Sequence, residues 1–254
     1  MPYLFSRLNF EVPFLGAEYL NEADVSKVIS GVEPQTGFVN WFFGESPASL
    51  TSYDGTHVMT NSDASLVKTY GDNYVVLPTN TGVLKNGLQT EYGDNNSYTM
   101  CSVIKHRAVN SAVLMGAGAL LTGEAVQRSG AGALVFAYRN ASGSVVANPI
   151  PIPSGIADGD NIFIAVTRNS NSVVAFVGGA ASKLTLSSAI KNTNSDLKIG
   201  IGNTSYSNSE QPGFSKELQC YEFLYAATPK TAAELDAIYE SSKARCIKRG
   251  ISII

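Results

Sequence analysis

A chain of 254 residues is long enough for one large β domain, or a β domain with a small appendage, and needs no disulfide or metal to hold its core. Charged residues make up 15% of it, well under the usual figure of about 25%, so Ser, Thr, Asn and Gly must cover much of the surface. A net charge of −3 with no basic stripe excludes nucleic acid as a main partner, and three far-spaced cysteines without a CxxC pattern exclude a disulfide framework and a zinc site.

The opening residues MPYLFSRLNFEV lack a charged n-region, a continuous apolar stretch and a small-residue cleavage site, and no apolar run approaches a membrane span. The expectation is a protein made in a host cytoplasm without a signal peptide and not inserted in a membrane. Residues 1–35 read as a separate N-terminal segment for packing or attachment. Within it 22–30 is predicted helical: Asn21 caps it, Val25, Val28 and Ile29 share one face, and Gly31 stops it. The apolar residues ahead of this helix need a surface, either the chain's own sandwich or a partner subunit.

From residue 36 to 254 the pattern is short strands with turn signals. Strands are predicted at 38–43, 74–77 (ended by Pro78), 98–105, 112–115 and 134–138, with Tyr53-Asp54-Gly55 as a turn. Gly116, Gly118 and Gly123 read as a flat strand and turn. Pro149, Pro151 and Pro153 make an extended connection. Residues 159–239 then hold strand-like runs separated by Asn/Ser/Gly turns, the last feeding into a helix. YGDN occurs at 70–73 and 92–95, and GDN again at 159–161, which reads as repeated turn chemistry or a duplicated ligand loop.

The closing helix is the best specified element. Thr231 and Glu234 form a T-x-x-E capping box, and Leu235, Ile238, Tyr239 and Cys246 fall on one side. Lys243, Arg245, Lys248 and Arg249 cluster where cations complement the helix dipole. The apolar tail 250–254 needs cover. Cys101 and Cys220 sit among apolar neighbours and read as buried free thiols.

The order of these motifs resembles the concanavalin A-like, laminin-G-type jelly rolls found in phage virion and bacterial surface proteins. The resemblance starts at Asn40-Trp41-Phe42-Phe43-Gly44-Glu45 with Tyr53-Asp54-Gly55 downstream, continues through Tyr74-Val75-Val76-Leu77-Pro78 and 97–105, and takes in Asn161–Arg168 with the hairpin strand 173–179. It closes with Leu197-Lys198-Ile199-Gly200 and Leu224-Tyr225 before Thr231–Tyr239, covering about 37–246. Ile162-Phe163-Ile164 stands where the family carries an aromatic-His pair, and Gly178-Gly179 where it carries Asn-Gly. The resemblance, which leaves the N-terminal segment out, implies an all-β antiparallel jelly-roll β-sandwich with a short C-terminal helix; with the helix read at 22–30, the expected fold is that sandwich with short N-terminal and C-terminal helices. Trp41, Phe43, Phe136, Phe176 and Phe223 are then expected in the core.

The resemblance also raises a sandwich glycoside hydrolase with paired strand carboxylates. The nearest pattern, Glu234-Leu235-Asp236 with Glu240, is one residue too long and lies on the capped helix. With His57 and His106 as the two histidines and no G-x-S-x-G, HExxH or Walker sequence, no catalytic set emerges. Calcium at a loop rim has Asp54, Asp72, Asp94 and Asp160 available, with no spacing that selects among them, so neither metal nor cofactor is assigned.

Recognition remains, and sugar binding needs aromatic faces beside convergent polar groups. The loop at 202–211 supplies Asn203, Tyr206, Asn208 and Glu210; His106-Arg107 and Tyr138-Arg139 follow strands and are further candidates. The plainer alternative is an ordinary solvated loop and strand-end polarity. The leading expectation is a non-enzymatic, carbohydrate- or cell-surface-recognition protein of a phage or prophage tail. It would bind a cell-surface glycan, attach to other virion subunits through 1–35, and act as a homo-oligomer because multivalency amplifies weak sugar binding. A purely structural virion protein and a glycan-cleaving enzyme are the alternatives.

Overall fold

The computed structural model describes residues 32–108, 111–179, 182–206 and 213–254. The predicted helix at 22–30 and most of the 1–35 segment lie outside the described residues. Strands are numbered β1 to β15 in chain order. The larger sheet runs Lys183–Leu186 (β13), Ser172–Val177 (β12), Asn161–Asn169 (β11), Ser97–Lys105 (β6), Leu218–Ala226 (β15), Tyr74–Leu77 (β4) and Thr69–Gly71 (β3). Val39–Phe42 (β1) pairs with β15 beyond the stretch that β4 takes. The smaller sheet runs Val145–Pro149 (β10), Leu134–Arg139 (β9), Glu124–Arg128 (β8), Ala112–Gly116 (β7), Lys198–Ile201 (β14), Leu88–Gly93 (β5) and Thr60–Asn61 (β2). All pairings are antiparallel, and the two sheets form a β-sandwich.

Alternation along the strands builds the core between the sheets. In β11, Ile162, Ile164 and Val166 face the smaller sheet, as do Tyr98, Met100 and Ile104 of β6; Trp41, Phe43, Phe136 and Phe223 join them. The opposite face of the larger sheet is also apolar, because the helix Ala232–Lys248 (α1) covers it. Cys101, Val103, Phe163, Ala165 and Phe176 meet Leu235, Ile238, Tyr239 and Cys246 there. The central strands are therefore buried on both sides. All three cysteines are buried and free, which for Cys101 and Cys220 is what the sequence led us to expect.

The Thr231 capping box is present: Thr231 Oγ1 accepts from the Glu234 amide and Glu234 reaches back to the Thr231 amide. At the other end Gly250, at φ +74, turns the chain so that Ile251 and Ile253 fold back into the helix–sheet layer. The tail is covered by the chain's own sandwich.

Two sequence readings need correction. The helix-end cations do more than complement the dipole: Arg245 pairs with buried Glu222, and Arg249 donates to the carbonyls of Phe43, Asn73 and Tyr221. The short edge strands β2, β3, β10 and β13 and the interior strands β5 and β8 carry little apolar alternation and were not foreseen.

Candidate functional site

At one end of the sandwich the two sheets are closed by stacked tyrosines. Tyr92, the fifth residue of β5, lies against Tyr225 of β15 with ring centroids 4.3 Å apart and planes at 23°. Asn95, just beyond β5, donates from Nδ2 to the Tyr225 hydroxyl at 3.4 Å. Tyr225 is buried, while Tyr92 is partly exposed and forms the outer layer.

A tight loop brings His57 over this stack. Asp54 Oδ1 accepts from the Ser52 hydroxyl and the Thr56 amide, and Gly55 takes φ +76, so residues 52–57 close on themselves. The Ser52 hydroxyl, foremost, holds the Asp54 carboxyl below its ordinary range. His57 Nδ1 then stands 2.5 Å from Glu91 Oε1 and 3.3 Å from the Tyr92 hydroxyl, its ring 5.7 Å from that of Tyr92. Burial first, and the Glu91 carboxylate after it, push the Tyr92 hydroxyl up, so it remains a neutral donor. Glu91 keeps 54% of its side chain exposed and His57 25%. The rim therefore offers one aromatic ring, an imidazole and an open carboxylate, a mixed set of the kind that holds polyhydroxylated ligands, while the Asn95 amide is engaged with Gly93 O, the Tyr225 hydroxyl and the Ser97 amide.

The residues singled out from sequence are placed differently. Asn203 is fully buried; its amide donates to Tyr206 O at 2.7 Å and Ser215 Oγ at 2.8 Å, and Oδ1 accepts from the Tyr206 amide. Tyr206 is 2% exposed, edge-on to Phe214, with the Arg139 guanidinium 5.9 Å from its ring. Arg139 is buried and donates Nε to Ala119 O at 3.0 Å. The fold thus gathers Asn203, Tyr206 and Arg139, but as packing outside the smaller sheet rather than as a solvent-facing set. Tyr138 lies against Phe136 in the core. His106 is buried, and Arg107 faces Asp158 at 3.8 Å. Asn208 and Glu210 lie outside the described residues.

Glu91 escaped the sequence reading, His57 was weighed there only for catalysis, and 92–95 entered only as a repeated turn or duplicated ligand loop. The signal available was the second YGDN, which begins at Tyr92, together with a histidine two residues past an Asp-Gly turn. Of the carboxylates considered for calcium, Asp94 is buried against Lys191 and Asp160 Oδ2 accepts from the Ala157 amide at 2.6 Å. Among the described residues no three His, Cys, Asp or Glu side chains gather to hold a metal, and no helix is long and apolar enough to cross a membrane. A groove of about 200 Å³ opens beside Thr167, Ser172 and the start of α1, but Thr231 and Glu234 already cap the helix amides there.

Several solved structures share this fold. The receptor-binding domain of botulinum neurotoxin type G superposes with a TM-score of 0.57 at 10% identity, over 81% of this chain and 51% of that one. The binding domain of Paraclostridial Mosquitocidal Protein 1 gives 0.55 at 14% identity, over 80% and 52%. Trypanosoma rangeli sialidase gives 0.56 at 12% identity, over 84% and 34%. The chain spans about half the length of the toxin domains and about a third of the sialidase. At such identities the likeness is one of fold. No family model matches the chain, and no curated protein matches it.

Proposed function

We propose that this chain is a non-enzymatic recognition protein that binds a glycan or receptor on a cell surface through the rim formed by His57, Glu91, Tyr92 and Asn95. The observation that carries this reading is the placement of a hydrogen-bonded imidazole and an exposed carboxylate beside a partly exposed tyrosine ring at one end of the sandwich. A sugar ring can lay its C–H face on the aromatic while its hydroxyls bond the imidazole and carboxylate. The fold's occurrence in receptor-binding domains of toxins supports the reading. On this proposal the protein serves a phage or prophage tail, attaches to other virion subunits through residues 1–35, and works as a homo-oligomer.

A glycan array probed with the full chain tests it. The expected result is competable binding that falls about tenfold or more, equivalent to about 1.4 kcal/mol, in His57→Ala and Glu91→Gln, with unchanged thermal unfolding. A blank array with stable co-purification into particles would assign a structural virion role instead. Release of reducing sugar from host polysaccharide would make the protein an enzyme.

A further inference from the structure

Beneath the rim, between the sheets, lies a closed set of charged side chains that recognition does not use. Glu124 opens β8, Arg168 is the eighth residue of β11, Lys191 lies between β13 and β14, and Asp94 follows β5. Their side chains are 0% to 1% exposed. Arg168 grips both Glu124 oxygens, with Nε 2.7 Å from Oε1 and 3.0 Å from Oε2 and Nη2 also on Oε2; the Tyr98 hydroxyl donates to Oε1. Lys191 Nζ touches Asp94 Oδ1, stands 3.0 Å from Glu124 Oε1 and 2.7 Å from Asn95 O, and sits over the Tyr98 ring at 5.6 Å. The Asn194 amide donates to Asp94 Oδ2 at 3.1 Å.

The geometry points to an intramolecular amide cross-link between Lys191 Nζ and Asp94 Cγ, formed with Glu124 as the catalytic base. A proton passes from the Lys191 ammonium to the Asp94 carboxylate, giving a neutral amine against a neutral acid. The amine lone pair adds to Cγ. Glu124 takes the proton that the new C–N bond releases from Nζ and returns it to the departing hydroxyl. One water leaves, and no oxidant or co-reactant is needed.

Three features set this pair apart from an ordinary buried ion pair. The two carboxylates are driven in opposite directions. Burial foremost, with Glu124's charge adding to it, raises Asp94 despite Lys191 beside it; for Glu124 the burial penalty is outweighed by Lys191 and Arg168, which hold it below its ordinary range. A carboxyl whose protonation burial favours, beside one whose ionised form its cations favour, is the division of labour proton transfer needs. The amine is also pre-aimed, since Asn95 O and Glu124 fix Nζ against one carboxyl oxygen while the Asn194 amide is placed to polarise the other, so addition begins at a high effective concentration. Finally, two ion pairs in a dry interior are expensive to bury, whereas the amide leaves only the Glu124–Arg168 pair. Arg168 and Tyr98 act as positioning residues, keeping Glu124 turned to Nζ. The link would tie segments 97 residues apart, directly behind Tyr92 and Asn95, and it stands whether or not the rim binds a glycan.

Intact mass spectrometry of the folded full chain decides. The expected mass is below that of the linear sequence by one water, about 18 Da, with proteolysis yielding a branched peptide that joins the Asp94 and Lys191 segments. Lys191→Arg, which keeps the charge, is expected to give the linear mass and to unfold at a lower temperature. Glu124→Gln is expected to leave Lys191 and Asp94 unjoined. A wild-type chain of linear mass, or a water loss mapped to another position, overturns the proposal even if both variants fail to fold. A branched peptide formed as fully in Glu124→Gln overturns the role given to Glu124.

Discussion

Arg245, in the last turn of α1, forms a buried ion pair with Glu222 of β15, its Nη2 2.9 Å from Oε1 and its Nε 3.1 Å from Oε2. Ser242 completes the set by donating to Oε1 at 2.6 Å. The pair exists because β15 bulges: pairing with β6 shifts between Cys220 and Glu222, so Tyr221 and Glu222 both face the helix and Phe223 returns to the inner core. Glu222→Ala leaves a buried guanidinium uncompensated and is expected to cost about 3–5 kcal/mol in urea unfolding. The double variant Glu222→Leu with Arg245→Met is expected to recover most of that loss, since apolar replacement of a buried pair is often neutral or stabilising. Additive losses in the double variant would show that the pair is not what fastens the helix.

A second prediction concerns Gly123, which leads into Glu124. It takes φ +79, its amide donates to Asn192 O at 2.8 Å, and its carbonyl accepts from the Arg139 amide at 3.0 Å. A Cβ there would stand 1.9 Å from Ala117 O. Gly123→Ala is therefore expected to cost at least about 2 kcal/mol and to disturb the Lys191 segment through Asn192. Equal stability of the two proteins in urea would refute this.

How far the sequence disclosed all this depends on the range of the interactions. Local grammar was legible. The Thr231–Glu234 box, the alternation of β11 and the Asp54-Gly55 turn are each settled within a few residues, and the motif order gave the sandwich. The bulge at Tyr221 was not, because it depends on how β15 registers against β6 and leaves no mark in composition. The charged set of Asp94, Glu124, Arg168 and Lys191 was hidden for a similar reason: its members lie up to 97 residues apart, and Asp94 and Lys191 stand among Asn, Ser and Gly that read as solvated turns. Asn203 and Tyr206 looked like surface donors, yet the Asn203 amide folds the loop onto itself and buries both.

His106 gives the first pH prediction. Its backbone bridges to Asp160 O and the Gly159 amide, its ring is buried, and Nδ1 has no hydrogen-bond partner among the described residues. Burial, with Arg128 adding to it, lowers its pKa below the ordinary 6.5, against the opposing pull of Asp158 and Asp160. As pH falls through 6.5 the unfolded chain takes up a proton that the folded one refuses, so stability drops on acidification. Urea midpoints at about pH 7.5 and about pH 5.5 are expected to differ more in the wild type than in His106→Gln. An equal difference would remove His106 from the acid response.

Lys68 predicts the opposite end of the scale. It lies between β2 and β3, 6% exposed, with Nζ donating to Leu66 O at 3.1 Å. Burial pushes its pKa from 10.5 down to about 8, the nearby Asp63 carboxylate opposing only in part. Between those values the folded lysine has released its proton while the unfolded one holds it, so the unfolded state binds more protons and stability rises with pH across that window. At neutral pH the buried ammonium is a cost, softened by solvent screening at the domain surface. Lys68→Met is accordingly expected to raise the thermal midpoint at pH 7 by about 2–4 °C, corresponding to about 1 kcal/mol, and to abolish the alkaline rise. A variant that melts lower at pH 7, or that still gains stability between pH 8 and 10.5, would show that the ammonium is better solvated than its burial implies.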